Sequence, residues 1–387
     1  MKGTVSNSLM KKFVFSLAVL LSLTSVVVGL PDKSRKVTKV ERSVAVDQNV
    51  TVTLCVMSGE IKVRGWDKSE LRASSVDAQQ IDLRRVDPDG EEGAAKRIDV
   101  FIKDRTEPES KADCHASADV VLDVPRGATV QVQTRDGNIN IIDVQAAYAG
   151  SQNGDICIER VAQRIEAGSI GGGIWIKDSR GRVSLSSAGG GIEATNVNPL
   201  TGDDNFEVVS VSGDVQLEGV SYAKLSARSV TGNINLEGAL ASGGSYEFNT
   251  MSGDVTLLLP AESSFRLVAK VSHDGEIITD FPVSLTTETI PSARSSRKPK
   301  TAVAPPTSPA PPKKAEPTPQ SPQSSPKGEQ APAADQVTVV KISPMVQVVP
   351  MPNVQTYGLR RVTAVCGSGE ASISVSSFSG TLRLNKN

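Results

Sequence analysis

The chain has 387 residues, enough for two ordinary domains or one long repeat domain. Its formal net charge is −1, which gives a nucleic-acid role no electrostatic support. Aromatics make up 4 % and glycines number 32, a composition suited to a narrow core with many tight turns.

The N-terminal end reads as an export signal. Lys11 and Lys12 precede an uncharged apolar run over 13–30, and Val27 and Gly29 are small residues at its exit. We expect a signal peptide over 1–29, and a location in the periplasm, the outer envelope or outside the cell. An uncleaved anchor is the alternative, but an 18-residue run holding three serines and a threonine is soft for a membrane span.

Residues 40–135 form an irregular β region expected to cap the more regular strands beyond it. Strand candidates are 49–56, 60–64, 97–103, 118–124 and 128–134, with a polar loop over 85–96. Cys55 and Cys114 fall here, while Cys157 and Cys366 lie further on. Four cysteines in an exported chain permit disulfides in three connectivities. We expect Cys55–Cys114, because both sit in the irregular part and Cys157 should face outward between Ile156 and Ile158. No C-x-x-C pair suggests zinc.

Residues 136–290 repeat. DGNINI, NGDICI, GGGIWI, SGDVQL, TGNINL and SGDVTL share a small or polar residue, glycine, then an apolar alternation. The turn glycines Gly137, Gly154, Gly173, Gly191, Gly213, Gly232, Gly253 and Gly275 are spaced 17, 19, 18, 22, 19, 21 and 22 residues apart. A second beat places Ile156, Ile165, Ile174, Val183 and Ile192 nine residues apart, so each repeat carries two short strands. Period two with branched residues means strands with one buried face; no helical stripe recurs. Strand, turn, strand, turn uses the observed spacing and returns the chain about 4.8 Å above its start. The expected fold is an all-β solenoid of about eight coils with parallel ladders. An up-and-down antiparallel array is the alternative, disfavoured because glycine dominates one corner only.

Residues 291–345 are Pro-rich: 291–335 hold twelve of the 22 prolines. Such a segment buries too little apolar surface to offset its ordering entropy, so it is expected to be disordered. Residues 346–387 return to the pattern and are expected to form the last coil.

The N-terminal GEIKVRGWD, the VPRGATVQVQT step, the serial G-[DN]-[IV] units and the terminal GSGEASISVSSFSGTLRL resemble the putative adhesin family, β-strand-repeat domains of unknown function in exported bacterial proteins. The resemblance spans about 45–285 and 359–387 and implies a β-solenoid outside the cytoplasm. The Pro-rich insertion departs from the family's plain pattern.

Candidate chemistry is sparse. Asn138, Asp155, Asp214, Asn233 and Asp254 could stack and hold calcium, but Asn and Asp after Gly are turn formers, and the calcium-binding nonapeptide is absent. The two histidines, His115 and His273, are far apart. Ser221 and Lys224 form S-x-x-K without partner motifs. Trp66 and Trp175 could stack on sugars, and Trp175 should face outward. Asn140, Gln216, Asn235 and Thr256 should join it in outward rows. We therefore expect no catalysis, cofactor or metal, and a binding role toward glycans or envelope proteins. Self-association through the solenoid edges is a further expectation. The alternatives are a carbohydrate-active enzyme on a β-helix and a periplasmic partner-binding module.

Overall fold

Alternating apolar and polar residues favour strands with one buried face. The computed structural model describes residues 39–87, 93–103, 114–272, 275–289 and 359–387. The signal peptide expected over 1–29, the disorder expected over 291–345 and His273 lie outside the described residues.

The first part of the chain forms β1 (Val40–Ser58), β2 (Ile61–Trp66), β3 (Glu70–Ser75), β4 (Gln80–Arg85), β5 (Ala95–Lys103), β6 (Val120–Pro125) and β7 (Thr129–Asp136). The repeats form β8 (Ile139–Ile142), β9 (Ala146–Ser151), β10 (Ile156–Glu159), β11 (Arg164–Ser169), β12 (Ile174–Lys177), β13 (Arg182–Ser187) and β14 (Ile192–Thr195). They continue as β15 (Phe206–Ser212), β16 (Val215–Glu218), β17 (Lys224–Thr231), β18 (Ile234–Glu237), β19 (Ser245–Ser252), β20 (Val255–Leu259), β21 (Phe265–Ser272) and β22 (Ile277–Thr279). Then come β23 (Ser284–Thr289), β24 (Leu359–Cys366), β25 (Ala371–Ser379) and β26 (Leu382–Lys386).

Two parallel ladders stack these strands. One runs β5–β1–β7–β9–β11–β13–β15–β17–β19–β25–β21. The other, of mostly shorter strands, runs β6–β2–β8–β10–β12–β14–β16–β18–β20–β26–β22. One strand from each ladder makes a coil, giving eleven coils among the described residues against about eight expected. At about 4.8 Å per rung the stack is on the order of 50 Å long. The fold is the expected solenoid, and its parallel ladders rule out the antiparallel array.

Chain order and spatial order part at both ends. The region expected only to cap the repeats supplies complete coils, and its β5/β6 coil lies outside the β1/β2 coil. The C-terminal strands β25 and β26, expected to form the last coil, lie between β19/β20 and β21/β22. Antiparallel strands then close the ends: β4 beside β5, β3 beside β6, and β24 and β23 beyond β21. A parallel edge left bare would be a template for aggregation, and these strands cover it.

The interior is filled from both ladders. Ile139, Ile156, Ile174, Ile192, Val215, Ile234, Val255 and Leu382 form one continuous buried column. Opposite, buried Ala147 gives way to Ile165, Val183, Phe206, Leu225 and Tyr246 along the stack. The core thus widens toward the C-terminal coils, where Phe206 packs on Tyr222 with ring centroids 5.4 Å apart. A disulfide joins Cys55 to Cys114 across a sequence separation of 59 residues. It ties the outward side of β1 to the segment before β6, while Cys157 and Cys366 are free.

Candidate binding surface

The first corner is built from three columns in register. Gly59, Gly137, Gly154, Gly172, Gly190, Gly213, Gly232, Gly253 and Gly380 stack on one another's carbonyls. A Cβ on Gly154 would lie 2.0 Å from the Gly137 carbonyl oxygen, and one on Gly213 2.5 Å from that of Gly190. Close approach of successive coils, more than positive φ, is what demands glycine here. The column therefore runs through Gly172 and Gly190, one residue before the expected Gly173 and Gly191. Gly275 continues it more loosely, its Cβ position 3.3 Å from the Gly380 carbonyl oxygen and 3.2 Å from Val271.

Three residues before each of these glycines from Gly137 onward sits a buried hydroxyl: Thr134, Ser151, Ser169, Ser187, Ser210, Ser229, Thr250 and Ser377. Ser151 donates to the Gly137 carbonyl at 3.1 Å and Ser187 to that of Gly172 at 3.2 Å. Ser187 also accepts the Gly190 N–H at 3.0 Å. These serines satisfy corner groups that water cannot reach. Thr134 Oγ1 and Ser229 Oγ make no hydrogen bond.

The third column is the Asn/Asp row. Asn138 Oδ1 accepts the Asp155 N–H at 2.9 Å, Asp155 Oδ1 that of Gly173 at 2.9 Å, and Asp214 Oδ1 that of Asn233 at 2.8 Å. Asn233 Oδ1 serves Asp254 at 2.9 Å, and Asp254 Oδ1 serves Thr381 at 2.8 Å. The Thr381 N–H, aided by Arg383, holds the Asp254 carboxyl below its ordinary range against the opposing effect of burial. The row is a backbone clamp between coils, and not the local turn bonding expected of Asn and Asp after Gly. Among the described residues, no three His, Cys, Asp or Glu side chains group as a metal site.

Gly232→Val tests the corner. Its φ is +155° and its Cβ would lie 2.3 Å from the Gly213 oxygen. We expect a loss of about 1–3 kcal/mol, read by denaturant melts. An unchanged melt would contradict the close approach.

The opposite corner uses left-handed residues other than glycine: Asp143, Arg160, Asp178 and Asn196 all have φ between 50° and 61°. Neighbouring coils hold them in place. Arg160 grips Asp143 through Nε at 2.8 Å and Nη2 at 3.1 Å, and Asn196 Nδ2 donates to Asp178 at 2.6 Å. The Arg160 hydrogen bond holds the Asp143 carboxyl low.

Between the corners, the outer face of the short-strand ladder carries one residue per coil in register. Asn140, Cys157, Trp175, Glu193, Gln216, Asn235 and Thr256 form this row. Trp175 is the one aromatic residue of these seven. Its ring lies over Gly173, where a Cβ would meet Cη2 at 2.4 Å, so the missing side chain makes room for a ring laid against the sheet. The residue stays 41 % exposed. Burial, with Asp155 and Glu159 nearby, pushes the Cys157 thiol up, which keeps it neutral and unreactive. Trp66 differs: Lys68 and Arg72 sit 4.6 and 4.7 Å from its ring, and its Nε1–H donates to the Glu70 carbonyl at 2.8 Å. Cation contacts already engage that indole.

Other candidates are structural in place. Asp204 accepts the Leu200 and Thr201 N–H groups at 2.8 Å, closing a turn. Ser221 N–H bonds the Val197 carbonyl at 3.3 Å within the stack, and Lys224 opens β17.

None of the curated proteins matches the chain. Among solved structures, a "putative cell adhesion protein" from Clostridium sporogenes is 8 % identical, with a TM-score of 0.23, over 90 % of this chain and 100 % of that one. A "putative lipid binding protein" from Parabacteroides distasonis is 15 % identical, with a TM-score of 0.35, over 57 % and 90 %. At these scores neither carries an argument about function. The family model Toastrack DUF4097 does match, over residues 115–304, just under half of the chain, and it covers the coils that build this surface.

Proposed function

We propose that the protein is an exported binding module that holds an extended glycan along the outer face of the short-strand ladder, without turnover. The observation that carries this reading is the exposed Trp175 ring lying against Gly173, in a row of polar side chains one rung apart. A sugar ring has an apolar face that stacks on an indole and hydroxyls that need partners. Asn140, Glu193, Gln216 and Asn235 offer those partners at the rung spacing. Single contacts of this kind are weak, and repetition along a polymer multiplies them.

The test is a glycan array followed by calorimetry on the purified chain. Trp175→Ala should weaken binding of the best polysaccharide about tenfold, equivalent to about 1.4 kcal/mol, with the melting temperature unchanged. Undiminished binding in that variant would remove Trp175 from the site. Product release from a polysaccharide panel, detected by mass and lost on mutating Asp214, would replace binding with catalysis. Capture of an envelope protein with no glycan bound would favour a partner-binding module instead.

A further inference from the structure

The residue that follows each buried corner hydroxyl points away from the core. From the fifth to the tenth of the eleven coils, counted along the stack, these residues are Ile170, Ala188, Val211, Val230, Met251 and Phe378. They belong to successive rungs: Ser169 pairs Ser187, Ser187 pairs Ser210, Ser210 pairs Ser229, Ser229 pairs Thr250, and Thr250 pairs Ser377. Six apolar side chains thus form a ridge along one edge of the stack, about 24 Å from end to end at the rung spacing. Ile170, Val211 and Phe378 are 41 %, 36 % and 42 % exposed, and the other three are half-buried.

The ridge is flanked by small neutral residues. On one side, the next residues are Gly171, Gly189, Ser212, Thr231, Ser252 and Ser379. On the other, two positions back, stand Gly168, Ser186, Val209, Arg228, Asn249 and Ser376. Arg228 is the one charged residue among them and is paired with Glu247 at 3.6 Å. A continuous apolar ridge with nearly uncharged flanks is comparable in extent to the largest patch of a typical monomer, and such patches are often contacts.

We infer that this ridge is where a second copy of the chain docks, the two ridges lying antiparallel about a twofold axis. Charge supports a like partner: the surface has no sign to attract an oppositely charged one, and two copies bury no unpaired charge against each other. Shape fixes the direction. Antiparallel, bulky Met251 faces small Ala188, Val211 faces Val230, and Ile170 faces Phe378. Parallel, Phe378 would meet Phe378 while Ala188 met Ala188 across a gap. Area sets the strength. The three columns over six rungs cover on the order of 500 Å² per copy, near the roughly 1,000 Å² total of the smallest specific interfaces, so the dimer is weak and reversible. This inference does not rest on the glycan reading.

Sedimentation velocity on the purified chain across the micromolar range tests it. Weight-average mass should rise toward twice the monomer with concentration. Val211→Asp should keep the chain monomeric, Phe378→Ser should weaken the dimer, and Trp175→Ser, an equally exposed apolar site off the ridge, should leave it intact. Melting curves check that each variant is folded, and exposure at both ridge positions makes that the expected result. An Ile170→Cys/Phe378→Cys double variant should cross-link between copies on oxidation. A wild type that stays monomeric overturns the inference and leaves the ridge to another occupant, such as residues 290–358. A dimer indifferent to both ridge variants overturns it equally.

Discussion

Deletion of residues 359–387 should unfold a part of the protein that lies before them in the chain. Strand β25 pairs with β19 on one side and β21 on the other, and β26 does the same between β20 and β22. Strand β24 also pairs with both β21 and β23. Removing the three strands leaves β21, β22 and β23 without their ladder partners. It also removes Val362, Ala364, Ala371, Ile373, Val375, Leu382 and Leu384 from the core. Burial of each of the five Val, Ile and Leu side chains is worth about 1.5–3 kcal/mol, so their joint loss rivals the entire stability of an ordinary domain, about 5–15 kcal/mol. Coils up to β19/β20 interact chiefly with their neighbours and should persist, with a bare parallel edge that promotes aggregation. Hydrogen exchange should show protection lost over 265–289 and kept over 139–195. A synthetic 359–387 peptide added in trans should restore it. Full protection of 265–289 in the truncated chain would show that the inserted coil is dispensable.

Phe248→Ala should cost about 3–5 kcal/mol. Phe248 is fully buried in β19, in register with Ala227 below and Val375 above. Ala227 is too small to collapse into the space, and Val375 is held in its ladder on both sides. The cavity therefore stays open and forfeits both transfer energy and dispersion contacts. In a stack of coils the damage is local, so protection should fall first in β19, β20 and the inserted β25/β26. Denaturant melts followed by exchange mass spectrometry read both the size and the place. A cost below about 1 kcal/mol would show that the wide end of the core repacks freely.

The coils could be read from the sequence because their signals are local. Ile156 and Ile158, or Ile234 and Leu236, announce a strand with one buried face within a few residues. The insertion of β25/β26 could not be read that way. Its alternation is as good for a last coil as for a middle one, and the choice is made by partners about 100 residues distant. The repeat pattern puts the glycine column one residue late at 171–173 and 189–191, where runs of three glycines leave the register open. The missing guide was the hydroxyl three residues earlier, Ser169 or Ser187. Serine reads as outward-facing, so a buried column of serines hides in plain sequence until its hydrogen bonds to the corner are seen. The apolar ridge hid for a related reason. Val211 and Met251 are outward positions of their strands by ordinary alternation, where a single apolar residue is unremarkable, and only the register shows that six such positions stack. On the candidate surface, the alternation makes Trp175 outward, whereas the contact of its ring with Gly173 depends on a glycine assigned to a different task.

The out-of-order coils also govern how the chain can assemble in time. A chain delivered N-terminus first can add coils as they arrive, from β7/β8 through β19/β20, each closing a loop of about twenty residues. It must then stall. Strands β21 and β22 are already present, but the rung that joins them to the stack is held by residues 371–386, which arrive much later. Closing that longer loop costs only modestly more entropy, since the penalty grows with the logarithm of its length, so the delay is one of sequence order and not of energy. Until the tail is in place the growing end offers a vacant parallel edge. The stack thus becomes safe from mispairing only when residues 371–386 have been delivered, and a chain cut short before them is recognisable by the gap it leaves.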